Sequence, residues 1–411
     1  MLRFDQDLRL DRQLAAGLLT VRDMKELGQN IAARHAAAER PDGTERERLT
    51  RQAIHYFWEN FDHLGDIIDE EEFTFLHRWM AAELDRHEAT LLQRFDDGFV
   101  RDCHGDLHLG NLVRLPSGIT TFDCIEFNPD LRYTDVYADV GFLTMDLTEK
   151  GHPELAAHFL NRYLERSGDY EGAALLDLFF VYRCLVRAKV AAIRSRERES
   201  DAERSADIRD ARDYSAMARR QVTRSRPVLV IMCGLSGSGK TWLAERLMAA
   251  LPAIRVRSDI ERKRLFGLEE TAGSGSGIGE GIYAPEASEA TYERLFALAR
   301  NLLEARHHVV LDAAFLKRKQ RESARAVASD AGVDAVLIYA KAPREVLRTR
   351  IERRATIKDE ASEADLAVLD HQLVIAEQPR ADEGTLVVDT SSDIDVEELV
   401  KSILDRGPQQ G

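Results

Sequence analysis

At 411 residues the chain exceeds the roughly 250–300 residues at which one hydrophobic core stops growing, so two cores are expected. Its 44% hydrophobic and 31% charged residues are those of a chain that folds, and no apolar run approaches the ~18 residues of a membrane span. A net charge of −15 argues against a broad nucleic-acid or anionic-membrane surface, because such partners need a basic face.

The N-terminal stretch MLRFDQDLRLDRQ is charged from residue 3 and lacks the apolar segment of a signal peptide. Cys103, Cys124, Cys184 and Cys233 are scattered without metal-ligand spacing, so reduced thiols and a cytoplasmic location are expected.

From Asp7 to about Glu165 apolar residues recur at helical spacing, broken near Phe99–Phe127 by short strands and a loop. That break contains HGDLHLGN, His104 to Asn111, followed by Asp123 in FDCIEF. An acid, an amide and a second acid in this order supply one proton acceptor and two metal ligands for phosphoryl transfer. Asp106 would deprotonate the acceptor hydroxyl, Asn111 and Asp123 would hold magnesium, and His104 and His108 would only brace the turn.

Ala173–Arg194 reads as a strongly amphipathic helix. Between Arg194 and Arg226 lies a stretch rich in Arg, Glu, Asp and Ser and free of Gly, expected to be a solvated helix or helical linker that contains the domain boundary. The domain expectation is residues 1–200, a charged linker 201–226, and residues 227–411.

After Pro227 the rhythm changes. Val228–Cys233 is an apolar run, then come a Gly-rich turn, a helix over Thr241–Ala250, and short apolar strands at Ile254–Val256, Val309–Leu311 and Val336–Tyr339 between helices. Strands alternating with helices imply a parallel sheet covered on both faces. The stretch Ala272–Gly281, AGSGSGIGEG, is too rich in Gly and Ser to pack; it reads either as a mobile loop near the substrate or as a plain insertion.

The turn GLSGSGKT, comprising Gly234, Leu235, Ser236, Gly237, Ser238, Gly239, Lys240 and Thr241, sits between a predicted strand and a predicted helix. Gly237 and Gly239 let successive N–H groups point at phosphate oxygens, and the helix adds its positive end. Lys240 would reach the outer phosphates, and Thr241 would hold magnesium. Asp312, ending the strand VVL, is a second magnesium ligand or an ordinary turn residue.

Asp259, after Ile254–Val256, accepts a proton from a substrate hydroxyl or caps the following helix, with Arg262 placed to hold an anionic group. In REVLRTRIERR, Arg350 and Arg354 share a helix face that either closes over the triphosphate or is merely solvated.

With GLSGSGKT, SDIERKRLFG, VVLDAAF and the arginine-bearing helix followed by DEASEADLAVLDHQ, the segment from Pro227 resembles the small P-loop kinases of the polynucleotide-kinase, zeta-toxin and chloramphenicol-phosphotransferase group. HGDLHLGN and IEFNPDLRYTDVYADVGFL resemble the catalytic region of aminoglycoside phosphotransferases and choline kinases, in particular the branch fused to a C-terminal P-loop kinase.

The second resemblance implies a protein-kinase-like fold whose strand-rich lobe carries the nucleotide clamp. Because the catalytic loop begins at residue 104, that lobe is expected to be missing, through truncation or a start codon placed too late. The first half is then not expected to clamp ATP in the usual manner.

The fold class expected is thus a mainly α-helical, phosphotransferase-like C-lobe followed by an α/β P-loop kinase domain. The expected function is ATP- and Mg2+-dependent phosphoryl transfer to a small hydroxylated molecule. Two rivals stand beside it: a regulatory ATPase whose hydrolysis switches a binding surface on the first half, and a kinase of nucleic-acid ends, which the acidity disfavours. The acceptor and the oligomeric state are not legible.

Overall fold

The computed structural model describes residues 4–354 and 363–405. The chain divides into two compact units, Met1–Ser225 and Arg226–Gly411.

The first unit is mainly helical. It opens with α1 (Leu10–Ala15) and α2 (Val21–Ala37), the latter started by a capping box in which Thr20 and Asp23 exchange hydrogen bonds. Then follow α3 (Arg46–Glu59), α4 (Glu70–Asp96), β1 (Val100–Asp102), β2 (Leu112–Leu115), β3 (Gly118–Thr121) and β4 (Tyr133–Asp135). The strands form two antiparallel pairs, β1 with β4 and β2 with β3. The rest is α5 (Tyr137–Glu149), α6 (Pro153–Ser167), α7 (Leu176–Glu197) and α8 (Asp201–Val222).

Helix α5 is the centre of this unit: every residue from Tyr137 to Leu147 is buried. The stretch expected to be a solvated linker corresponds to α8, which packs along α7 and belongs to the first unit. Its charge density concealed a narrow buried stripe of Asp207, Ala211, Ser215 and Ala218, with Met217 beside it.

The second unit contains β5 (Val228–Cys233), α9 (Lys240–Ala250), β6 (Ile254–Arg257), α10 (Ser258–Leu265), α11 (Pro285–Glu304), β7 (Val309–Asp312), α12 (Arg318–Asp330), β8 (Asp334–Lys341), α13 (Arg344–Arg354), α14 (Leu366–Ile375), β9 (Leu386–Asp389) and α15 (Val396–Leu404). The strands form one parallel sheet in the order β6-β7-β5-β8-β9.

Strand β5 is central and wholly buried, as its unbroken apolar run requires of a strand covered on both faces. Val228, Val230 and Met232 pack on Leu243, Leu247 and Ile403 of the covering helices. Arg257 pairs with Asp312 across β6 and β7, so both strands end level with one another. Everything that follows their carboxyl ends therefore gathers at one edge of the sheet, where open α/β sheets bind ligands.

Candidate functional site

At that edge the chain leaves β5 and wraps into the glycine-rich turn. Gly237 and Gly239 have φ of 79° and 82°, and a side chain on Gly237 would meet the Leu347 carbonyl at 2.6 Å. Only glycine meets both demands, so the sequence spacing is a backbone requirement. Leu235 packs on Leu347, Ile351 and Leu369, anchoring the turn against α13 and α14.

Lys240 opens α9, and its Nζ donates to the Leu235 carbonyl at 2.8 Å. Burial pushes the ammonium below the usual lysine range, against the opposing pull of Asp312, Cys233 and Asp259. The Thr241 hydroxyl donates to Asp312 Oδ1 at 3.4 Å. The other Asp312 oxygen, 4.0 Å from Arg257 Nε, accepts no hydrogen bond among the described residues, and neither does the buried Ser238 hydroxyl find a partner. Burial raises the Asp312 carboxyl above its usual range, although Arg255, Arg257 and Lys240 oppose that rise. A hydroxyl and a buried carboxylate oxygen, set together beside the glycine-rich turn, are hard oxygen donors of the kind magnesium takes.

These residues line a cleft of about 710 Å³ that also contains Asp259, Arg262, Tyr283, Arg350 and Arg354. Asp259 lies in the first turn of α10, whose N-cap is Arg257 and has no side-chain cap bond; Asp259 is not the cap. Arg262, on the next turn, is 7% exposed. Its NH1 donates to the Ile282 carbonyl at 2.9 Å and the Ser288 hydroxyl at 3.3 Å, and its guanidinium lies 5.1 Å from the centre of the Tyr283 ring. Its Nε has no hydrogen-bond partner among the described residues.

The two arginines on α13 have different partners. Arg350 donates to the Gly237 carbonyl and to the hydroxyl and carbonyl of Thr390, at 3.3, 2.8 and 2.7 Å, and so braces the turn from behind. Arg354 donates to the Ala364 carbonyl at 2.6 Å. Of the motif DEASEADLAVLDHQ, residues 359–362 lie outside the described residues; Glu363, Asp365, His371 and Gln372 line the cleft.

The Gly- and Ser-rich loop contributes Ser276, Gly277, Ile278 and Gly279 to the same cleft, in keeping with the first of its two sequence readings. Thr390, Gln372 and Glu363 were not foreseen. Glu363 and Gln372 lie within DEASEADLAVLDHQ, but no role was read for either, and Thr390 directly follows β9; only the fold brings Gln372 and Thr390 to the turn and Glu363 to Ser274.

In the first unit, HGDLHLGN is suspended from α5. His104 and Gly105 donate their N–H groups to Asp139, and Leu109 donates to Asp146. His104 Nδ1 accepts from the Asp106 amide and Nε2 faces the Phe122 carbonyl at 2.8 Å, the bracing role expected of it. Asn111 Nδ2 donates to Asp106 Oδ2 at 2.9 Å, so the acid and the amide are in contact. His108 Nε2 is 3.4 Å from the same carboxylate. Burial opposes the charge on Asp106, but His108, with Arg183 and His104 behind it, holds the carboxyl below its usual range.

Phe122, which precedes Asp123, donates its N–H to the Asn111 carbonyl at 3.0 Å. Asp123 is exposed with φ of 59°. His35, Cys103 and Asp139 form a buried cluster beneath this loop; there His35 is engaged by Tyr163 and Asp139 at 3.0 and 3.3 Å.

Comparison with known proteins follows the two units. Residues 12–176 match the family described as Phosphotransferase enzyme family, and residues 229–379 match that described as AAA domain. Over 373 residues the chain is 26% identical to an uncharacterized protein of Mycobacterium tuberculosis, covering 90% of this chain and 74% of the relative, and to a Mycobacterium bovis protein to the same extent.

Among solved structures it is similar to a gluconokinase from Sinorhizobium meliloti 1021, with 22% identity, 44% of this chain and 92% of that chain covered, and a TM-score of 0.30. It is also similar to the APS kinase of Mycobacterium tuberculosis in complex with AMPPNP and APS, with 22% identity, 44% and 98% covered, and a TM-score of 0.32. No helix among the described residues is long and apolar enough to cross a membrane.

Proposed function

For a chain that joins a phosphotransferase-family domain to a P-loop kinase domain, we propose ATP-dependent phosphoryl transfer to a small hydroxylated molecule, carried out in the cleft of the second unit. The observation that supports it is the convergence of Lys240, Thr241, Asp312, Asp259 and Arg262 on one cleft at the carboxyl ends of β5, β6 and β7.

In this reading the amides of residues 236–241 and the Lys240 ammonium bind the outer phosphates of ATP. Thr241 and Asp312 would hold magnesium, which when bound neutralises charge on the phosphate oxygens. Asp259 accepts the proton of the acceptor hydroxyl as that oxygen attacks.

Arg262 supplies a nearly buried cation one helical turn from Asp259, and a buried cation is costly until an anion reaches it. The acceptor in this proposal therefore carries a carboxylate, sulfate or phosphate beside the hydroxyl it offers. Arg354 faces the transferring group, whereas Arg350 serves the nucleotide by holding the shape of the turn.

The test is γ-labelled ATP with a pool of small metabolites. Label on an anionic, hydroxylated product, lost in Lys240→Ala, is the expected result. Label released only as free phosphate would replace the transferase with an ATPase. A second reading, transfer at Asp106, is supported by the Asp106–Asn111 contact and is separated from the first by Asp106→Asn.

A further inference from the structure

The loop over residues 272–281 is anchored at one point. Ser274 donates its N–H to Glu363 Oε1 at 3.0 Å and its hydroxyl to Glu363 Oε2 at 2.6 Å. The fully buried Lys263 brings its Nζ to 3.1 Å from the same carboxylate and donates to the Glu270 carbonyl at the start of the loop. From Ser274 the bonding runs on: Ser276 N–H to the Ser274 hydroxyl, then Ile282 N–H to the Ser276 hydroxyl. One carboxylate thus orders a segment whose composition alone would leave it slack.

Glu363 is also next to Ala364, whose carbonyl holds Arg354. Arg354 lines the same cleft as Lys240 and Tyr283. A guanidinium has five donors, so it can keep the Ala364 carbonyl while a phosphate occupies its remaining N–H groups.

Resting on the nucleotide reading above, we propose that Glu363 is a latch coupling the two sides of the cleft: an occupied phosphate loop fixes Arg354, Arg354 fixes residues 363–365, and Glu363 then holds the acceptor-side loop closed. By linkage, the closed loop strengthens nucleotide binding by the same factor. Glu363 is a positioning residue in this scheme and touches neither reacting group.

The test is hydrogen exchange on the full chain with magnesium and a non-hydrolysable ATP analogue, with binding followed by calorimetry. In the parent protein the analogue slows exchange at Ser274, Ser276 and Ile282 at least about fivefold, the lower end of typical allosteric coupling. Glu363→Ala abolishes that increment, while Glu363→Gln, which still accepts from Ser274, restores part of it. Ser274→Ala, a change in a loop that leaves the core intact, weakens the analogue as much as Glu363→Ala does, and the double variant is no weaker than either single one.

Loop exchange that ignores the analogue while calorimetry records its binding would overturn the latch and spare the nucleotide site. An increment that survives in Glu363→Ala would do the same. Absence of any heat from the analogue would remove the nucleotide reading and the coupling together.

Discussion

Gln372 presents its side-chain oxygen to the backbone N–H of Ser236 at 2.7 Å. The amide thus engaged belongs to the turn that is proposed to bind phosphate, and the residue that engages it lies well beyond the turn in sequence, on α14. A nucleotide that uses this amide must displace Gln372.

A neutral hydrogen bond of this kind contributes about 0.5–1.5 kcal/mol net. Gln372→Ala is therefore expected to tighten magnesium-ATP by about two- to tenfold, measured by calorimetry. An unchanged or weaker affinity would mean that Gln372 assists the nucleotide and does not compete with it.

Lys240 and Asp259 have separable duties in the proposed reaction. Lys240→Ala should lose both nucleotide affinity and turnover, with transfer down by at least about a hundredfold. Asp259→Asn should bind ATP as the parent does, yet transfer label about 10²–10⁴ more slowly. Asp106→Asn should leave this activity intact; if it alone silenced transfer, the working site would lie in the first unit.

Asp312 carries a dependence on pH. Its folded carboxyl is raised above the unfolded value by burial, so the charged form costs stability at neutral pH, and that cost vanishes below the unfolded value, where the carboxyl is protonated in both states. Asp312→Asn, which is permanently neutral, should thus melt at a higher temperature than the parent at pH 7. Magnesium needs the carboxylate. Magnesium-nucleotide affinity should accordingly decline, as pH falls through the raised value, at a higher pH than an ordinary aspartate would give. Thermal melts and a pH series of titrations check the two limbs, and a lower melting temperature for the variant would refute the assignment of a burial cost.

How far the sequence reveals this architecture depends on how local each signal is. Val228–Cys233, the turn from Gly234 to Thr241 and Asp312 at the end of β7 were readable because strand, turn and helix follow one another within a few residues. Asp106 and Asn111 were singled out for the same reason, whereas their hydrogen bond to each other was not read. Thr390 bracing Ser238 and Arg350, and Glu363 holding Ser274, join residues far apart in the chain, and polar side chains at such positions leave no periodic trace. Helix α8 was read as a helix, but its packing on α7 was not, because its exposed charges outnumber the buried Asp207, Ala211, Ser215, Met217 and Ala218.

Arg321 offers a test of what holds the cleft in place. It is 0% exposed and forms paired bonds to Glu383, at 2.6 and 3.0 Å, while its NH1 donates to the Phe315 and Glu377 carbonyls, each at 3.0 Å. Phe315 belongs to the connection between β7 and α12, directly after Asp312, and has φ of 45°. The guanidinium therefore fixes the chain on which one wall of the cleft depends, and it does so from the interior. Removing one partner of a buried ion pair strands the other charge, at a cost of about 3–5 kcal/mol. Arg321→Met, which keeps much of the volume and none of the charge, is expected to lose about that much stability in urea unfolding monitored on the second unit. Replacing Glu383 by Met in the same chain should recover part of the loss, because no unpaired carboxylate is then buried. A single Arg321→Met variant as stable as the parent would show that neither the charge pair nor the bonds to the two carbonyls carry this corner of the fold.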